Sequence, residues 1–235
     1  ELRAMNGLFP PTLDPEVVEA MAAAGFKSLN LSLGSSSPRQ LKRFHRPDIR
    51  REFDSALAAA RTYGLQAIGY VIAGAPNQSA ESSVSDLLYL AQRQVLAGVS
   101  IFYPAPGTPD YRKCRKLGIL PQSFALMRSS TLPIDHTTSR LEAVTLLRLG
   151  RMLNYMKALL DQDIQIPAAL PYVSGRRLAT ANRMTIGHHL LECFYHDGEI
   201  RGVAPDGEIY RHNISSELTG MFLKRLRHIS LQGSR

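Results

Sequence analysis

Three times within its first 120 residues this chain runs through a helix, a short apolar strand and a loop of small or rigid residues. Asp14-Pro15 opens a helix through Met21 and Ala24. Asp14 is placed to cap it, Pro15 suits the first turn, and Gly25 ends it. Lys27 to Leu33 then alternates, with Leu29, Leu31 and Leu33 on one side, as a strand does. A short helical piece around Pro38 to Arg43 follows. Ile49 to Tyr63 aligns Phe53, Leu57 and Ala60 on one helical stripe, and Gln66 to Ala73 is a second strand rich in Ile and Val. Ser79 to Leu96 predicts the next helix, with Gly98 as its breaker, and Val99 to Tyr103 predicts the third strand.

Strands alternating with long helices join through right-handed crossovers into a parallel sheet, so their C-terminal ends share one edge. The loops expected there are Gly34-Ser35-Ser36-Ser37, Gly74-Ala75-Pro76-Asn77-Gln78-Ser79 and Pro104-Ala105-Pro106-Gly107-Thr108-Pro109. Parallel β/α folds concentrate function at that edge, and loops without bulky side chains leave room for a ligand. The expected fold is α/β: an incomplete parallel β/α (TIM-like) barrel segment with C-terminal helices and a small β-hairpin.

After Leu120 the pattern changes. Residues 121 to 138 read as irregular, and Ser139 to Leu160 as a long amphipathic helix. A linker over 161 to 175, a helix over Met184 to Tyr195, a hairpin around Pro205-Asp206-Gly207 and a basic helix over Ser216 to Arg227 complete the chain. The expected divisions are a β/α part over 1–120, a helical extension over 121–170 and a tail over 171–235.

Composition narrows the function. The 235 residues are 44% hydrophobic, enough for a packed core, and no apolar run approaches the roughly 18 residues that span a bilayer. Two cysteines, Cys114 and Cys193, are too few and too far apart for a disulfide framework or a metal-ligand spacing, so a reducing cytoplasm is expected. His188 and His189 are adjacent, and on a helix they project in different directions, unlike an i, i+4 ligand pair. The net charge is +8, with basic runs over 39–51 and 112–116. No aromatic residues interleave with them as a base-stacking platform requires, so they read as solvated helix faces and nucleic acid is not expected as a partner. The opening Glu1-Leu2-Arg3-Ala4-Met5 reads neither as a signal peptide nor as a natural start. A missing N-terminal half of the same protein is therefore an expected partner.

The loop motifs carry a family resemblance. Tyr70-Val71-Ile72-Ala73-Gly74-Ala75-Pro76 resembles the fifth-strand motif of radical S-adenosylmethionine (radical SAM) enzymes, commonly G-Y-x-I-x-G-x-P-G-E-T. Phe102-Tyr103-Pro104-Ala105-Pro106-Gly107-Thr108-Pro109 resembles the sixth-strand P-x-P-G-T-P. Ser32-Leu33-Gly34-Ser35-Ser36-Ser37-Pro38, with Leu41-Lys42-Arg43 and Arg46-Pro47 after it, is similar to the fourth-strand E-S-G-S and its helix. Asn6-Gly7-Leu8 and Leu13-Asp14 match the segment after the third strand. Each motif alone is weak; in this order and spacing they cover half the chain. Residues 121 to 160 also resemble members with an N-terminal cobalamin-binding domain. There are departures: Gly34 stands where an acidic residue is usual, and Gln78 where Glu is usual.

The resemblance implies S-adenosylmethionine as cofactor, a 4Fe-4S cluster whose ligands are not in this chain, and possible use of cobalamin. The family holds its cluster on a C-x3-C-x2-C trio, absent here, so the chain alone is expected to be inactive. By resemblance Ser35 and Ser37 face the ribose or the methionine end, although both could equally serve the helix that starts at Pro38. Arg46 would meet the cofactor carboxylate with a planar guanidinium. Val71, Ile72 and Gly74 would pack against adenine, and Phe102, Tyr103 and Pro104 would line its edge and the pocket floor. The substrate is unknown. Two alternatives stand beside this: a non-catalytic remnant binding a nucleotide-like ligand or a protein partner, and an RNA-modifying relative. In a half-barrel the Lys27 to Leu33 strand is an exposed edge, expected to pair with another copy, to be covered by the tail, or to promote aggregation.

Overall fold

The computed structural model describes all residues except 1, 5, 124, 127–132 and 180. At its centre is a parallel sheet in the order β1 (Ser28–Gly34), β2 (Gln66–Ala73), β3 (Leu96–Ile101). The period-2 alternation of the strands divides its two faces. Leu29, Leu31 and Leu33 on β1 and Ala67, Val71 and Ala73 on β2 are buried. Gly69 lies among them and brings the strand against Phe53 and Leu90, where an added Cβ would sit 2.8 Å from each. The opposite face carries Asn30, Ser32, Ile68, Tyr70, Ile72, Gly98 and Ser100, all half-buried. One side of the sheet is thus a core wall and the other is left partly open, as in a barrel cut lengthwise.

Helices form where caps and apolar stripes coincide. In α1 (Pro15–Ala23) the Asp14 carboxylate accepts from the Val17 amide at 2.8 Å. Ser37 caps α2 (Pro38–Arg43), and α3 (Arg50–Thr62) buries Phe53, Ala56, Ala59 and Ala60. Ser79 caps α4 (Ala80–Ala91), and Thr108 caps α5 (Pro109–Lys116), whose basic residues are exposed. The long α6 (Arg140–Leu160) starts on a capping box of Ser139 and Glu142. After it come α7 (Arg183–Asp197), the hairpin β4 (Arg201–Val203) and β5 (Ile209–Arg211), and α8 (Ser216–Leu226), which packs on α4 and α6. The buried apolar cluster runs from Leu13 through α6 to Leu226, so the C-terminal helices complete the core that the sheet begins. The irregular stretch expected over 121–138 lies partly outside the described residues.

The boundaries of the fourth helix and the third strand differ most from expectation, the strand ending at Ile101 and not Tyr103. The fourth helix stops at Ala91, not Leu96, and β3 begins at Leu96, not Val99. The Arg93 guanidinium sits 3.3 Å from the Tyr89 ring centroid and pairs with Asp54 at 2.6 Å, turning the chain just past the helix. Gly98 is no helix breaker. It lies inside β3 opposite Tyr70, whose ring would be 2.6 Å from a Cβ there, so the missing side chain is where that ring rests.

The chain itself covers the β1 edge and one position of the β3 edge. Beside β1, the Leu8 amide donates to Asn30 O at 2.6 Å and the Ser32 amide donates to Leu8 O at 2.9 Å. A parallel bridge also links Leu2 to Phe26. The β1 edge is therefore covered by the segment before it and not by the tail. At β3, Asn154 of α6 uses its side-chain amide as a one-residue strand: Oδ1 accepts from Ala97 N at 2.7 Å and Nδ2 donates to Ala97 O at 2.9 Å. Gly150 permits this approach, because a Cβ there would be 2.9 Å from Val99. Among the described residues no helix is long and apolar enough to cross a membrane.

Candidate functional site

Because the strands are parallel, the loops after β1, β2 and β3 leave from the same edge, beside the open face. The first two are held by buried polar contacts. After β1, Gly34 has φ +81° and follows an irregularity in register between Ser32 and Gly34. A Cβ at 34 would be strained at that φ and would lie 3.4 Å from Arg46 Cδ. The acidic residue usual in the resembled motif does not fit this turn. The next two residues, Ser35 and Ser36, fasten to Asp86 of α4. Its carboxylate accepts from Ser35 Oγ at 2.9 Å, Ser36 N at 2.6 Å and Ser36 Oγ at 2.6 Å. Burial pushes the Asp86 carboxyl up to about 6, against the pull of these hydrogen bonds toward the ionised form.

The loop after β2 closes on Gln78, which is fully buried. Its Oε1 accepts from the Ala75 amide at 3.1 Å and its Nε2 donates to Ile72 O at 2.6 Å. An ionised Glu could make the first of these bonds but has no proton for the second. Gln at this position therefore serves the loop itself. Thr138, also buried, donates from Oγ1 to Gln78 O at 2.7 Å, and the Asn77 amide donates to Thr137 Oγ1 at 2.9 Å. After β3, the Phe102 amide donates to Ala73 O at 2.9 Å, so the strand pairing continues one residue into the motif. Burial raises the Tyr103 hydroxyl's pKa, opposed by Arg140. Pro104 is buried.

The nine expected site residues divide. Arg46 reaches back from the end of α2 and donates from Nη1 to Ser32 Oγ at 3.1 Å, with no carboxylate partner among the described residues. Its guanidinium thus stands at the open face, beside a cavity of about 310 Å³ lined by Gly7, Phe9, Ser32, Leu33, Pro47 and Ile49. Ile72 shares that face, Phe102 and Tyr103 lie half-buried past its end, and Gly74 begins the middle loop at φ +81°. Two residues are turned elsewhere. Val71 is 1% exposed on the core side, because it alternates in phase with Gly69. The Ser35 hydroxyl is buried against Asp86. Ser37 Oγ accepts from the Gln40 amide as the cap of α2.

Sequence reading missed Asp86, Thr138 and Tyr70. Asp86 had a signal: a single acid on an otherwise apolar buried stripe with Leu87 and Leu90. Asn30 is a further polar group on the open face; its Nδ2 donates to Ala4 O, while its buried Oδ1 has no donor. Neither cysteine approaches a metal site. Cys114 and Cys193 are both buried, burial raises both thiols, and Cys193 Sγ has His189 Nε2 at 3.8 Å. Among the described residues no three His, Cys, Asp or Glu side chains could hold a metal ion.

No protein-family model matches the chain, and no curated protein matches it. Among solved structures it is similar to a radical S-adenosylmethionine methyltransferase, TsrM, from Kitasatospora setae, solved with cobalamin and a [4Fe-4S] cluster bound. The identity is 16% and the TM-score 0.41 over 49% of this chain, which spans 24% of that protein's length.

Proposed function

We propose that this chain supplies the C-terminal half of a radical SAM barrel and presents its loop edge to S-adenosylmethionine. What supports the reading most is the conjunction of motif and place. The three motif-bearing loops leave one sheet edge, and Arg46 stands over the open face with no carboxylate partner among the described residues. In such a family S-adenosylmethionine supplies the 5′-deoxyadenosyl radical. The described residues do not fit an iron–sulfur cluster, so this chain's part is confined to binding and orientation. They do fit the organic cofactor. Gly7 keeps a side chain out of the cavity beside Ser32, where the Arg46 guanidinium lines the wall.

In this proposal the Arg46 guanidinium pairs with the methionine carboxylate in bidentate fashion and Ser37 offers a hydroxyl. Ile72, Gly74 and Phe102 contact adenine, and the backbone of Tyr103 and Pro104 lines the floor. Val71 and Ser35 act behind this layer, by filling the core and by tying the first loop to Asp86. Cobalamin enters only through the resemblance of residues 121 to 160. A non-catalytic module that binds a nucleotide-like ligand is the second reading. It is favoured by the cover that the segment before β1, and Asn154 at Ala97, give the sheet edges within the chain.

Anaerobic reconstitution and calorimetry test the proposal together. The chain should take up no stoichiometric iron and sulfide. It should bind S-adenosylmethionine weakly, on the order of millimolar, because half the contacts are missing. Arg46→Ala should weaken that binding about tenfold. An unchanged affinity in Arg46→Ala would remove the carboxylate assignment. Preference for adenosine over S-adenosylmethionine would favour the second reading.

A further inference from the structure

On the same edge, but apart from the cavity beside Arg46, α2 and the first turn of α4 enclose a crevice of about 340 Å³. The two spaces share no lining residue. Arg39 and Arg43 come from α2, and Ser79 and Ser82 from the start of α4. Ser37 and Thr137 add hydroxyls, and among the described residues no carboxylate lines the space. Of the acids on α4, Glu81 pairs with Arg225, and Asp86, one turn past Ser82, is taken up by Ser35 and Ser36.

A second, independent feature lies in the wall. Gln40 lines the crevice and is 3% exposed, yet its Nε2 has no hydrogen-bond partner. That nitrogen has no accessible surface, so it meets an occupant only once the amide turns about its terminal torsion, which would give its two protons an acceptor. The α4 helix is 12 residues long, and its first-turn amides have no intrahelical acceptors; only the Ser82 amide is taken, by the Ser79 cap. The positive end of its dipole faces the same space. Arg43 spends one nitrogen on Asn77 O, and Arg39 has no partner among the described residues.

We infer that this crevice is an anion site built for a phosphate group, free or borne by a small organic ester. A carboxylate offers two oxygens in one plane. The donors here converge from α2, from the start of α4 and from the segment before α6, which suits a tetrahedral dianion. The space also exceeds what one bare phosphate fills, so an ester has room for its organic part. The inference shares Ser37 with the radical SAM reading but does not rest on it.

The test uses the full chain, with inorganic phosphate and glycerol phosphate as probes, followed by calorimetry and 31P NMR. Both anions should bind at one saturable, salt-sensitive site, and tighter binding of the ester would identify the ester as the occupant. Arg39→Ala and Gln40→Met should each weaken binding about tenfold. Gln40→Met should do so without lowering Tm, since it replaces an unpaired donor with a group of similar shape. Arg46→Ala should leave phosphate binding unchanged. No saturable binding of either anion up to about 20 mM, or binding indifferent to both crevice variants, would overturn the inference.

Discussion

Replacing Asp86 with Asn should make the protein gain stability relative to wild type as the pH rises from 4 to 7. The reasoning starts from two opposed effects on one carboxylate. Three groups, Ser35 Oγ, Ser36 N and Ser36 Oγ, donate to it and favour the charged form. Burial disfavours that form, and burial wins, because the carboxyl titrates at about 6 instead of its ordinary 3.8. Between those two values the folded state holds more protons than the unfolded one, so stability falls as pH rises through the window. A difference of about 2 units at ~1.4 kcal/mol each makes the loss about 3 kcal/mol by pH 7. Asn keeps one acceptor oxygen and has no such slope. Urea unfolding of both proteins at pH 4, 5, 6 and 7, followed by circular dichroism, reads the difference directly. The Asn variant should be the weaker partner at pH 4 and should recover about 3 kcal/mol relative to wild type by pH 7. A constant gap, or one that widens against Asn with rising pH, would show that the serine clamp outweighs burial.

Two further perturbations address the sheet and the C-terminal residues. Gly98→Ala should lower stability by about 1–3 kcal/mol in thermal melts, because its Cβ would meet the Tyr70 ring at 2.6 Å, and Tyr70→Leu should restore most of it. Lys157 is buried with its Nζ donating to Arg93 O at 2.6 Å and Gln232 O at 2.8 Å, and burial pulls its pKa down to about 8 from 10.5. The unfolded state therefore holds the extra proton between those values. Wild type should gain on Lys157→Met as pH rises from 8 to 10.5, and a flat difference in urea unfolding would refute it.

The sheet was legible where local chemistry and tertiary context agree. Gln66 to Ala73 alternates cleanly between a helix-covered and an open face, and its observed limits match the reading residue for residue. The third strand was misplaced because glycine has two uses. Gly98 looks like a helix breaker in sequence, yet its role is to admit a ring from a strand 28 positions earlier, at Tyr70. Nothing local marks Asn154 as the closer of a sheet edge 57 positions away, or Thr138 as the staple on Gln78 O. The same limit applies to the site. The motifs located all three loops, but Ser35 and Ser36 look alike in sequence to any hydroxyl that faces a ligand. Only the packing of α4 against β2 reveals the carboxylate that takes the Ser35 proton. Gln78 departs from the motif for a reason that its bonds to both a carbonyl and an amide make plain.

The central claim is that the loops after β1, β2 and β3 form one surface for S-adenosylmethionine. Backbone amide NMR of the isotope-labelled chain, titrated with S-adenosylmethionine, tests it most directly. Shifts should appear together at Gly34 to Ser37, Gly74 and Phe102 to Tyr103, saturating in the millimolar range, and should leave the Lys27, Arg61 and Gln94 cavity at the far edge unmoved. Shifts confined to that far edge, scattered over the surface, or absent at about 20 mM ligand would contradict the claim.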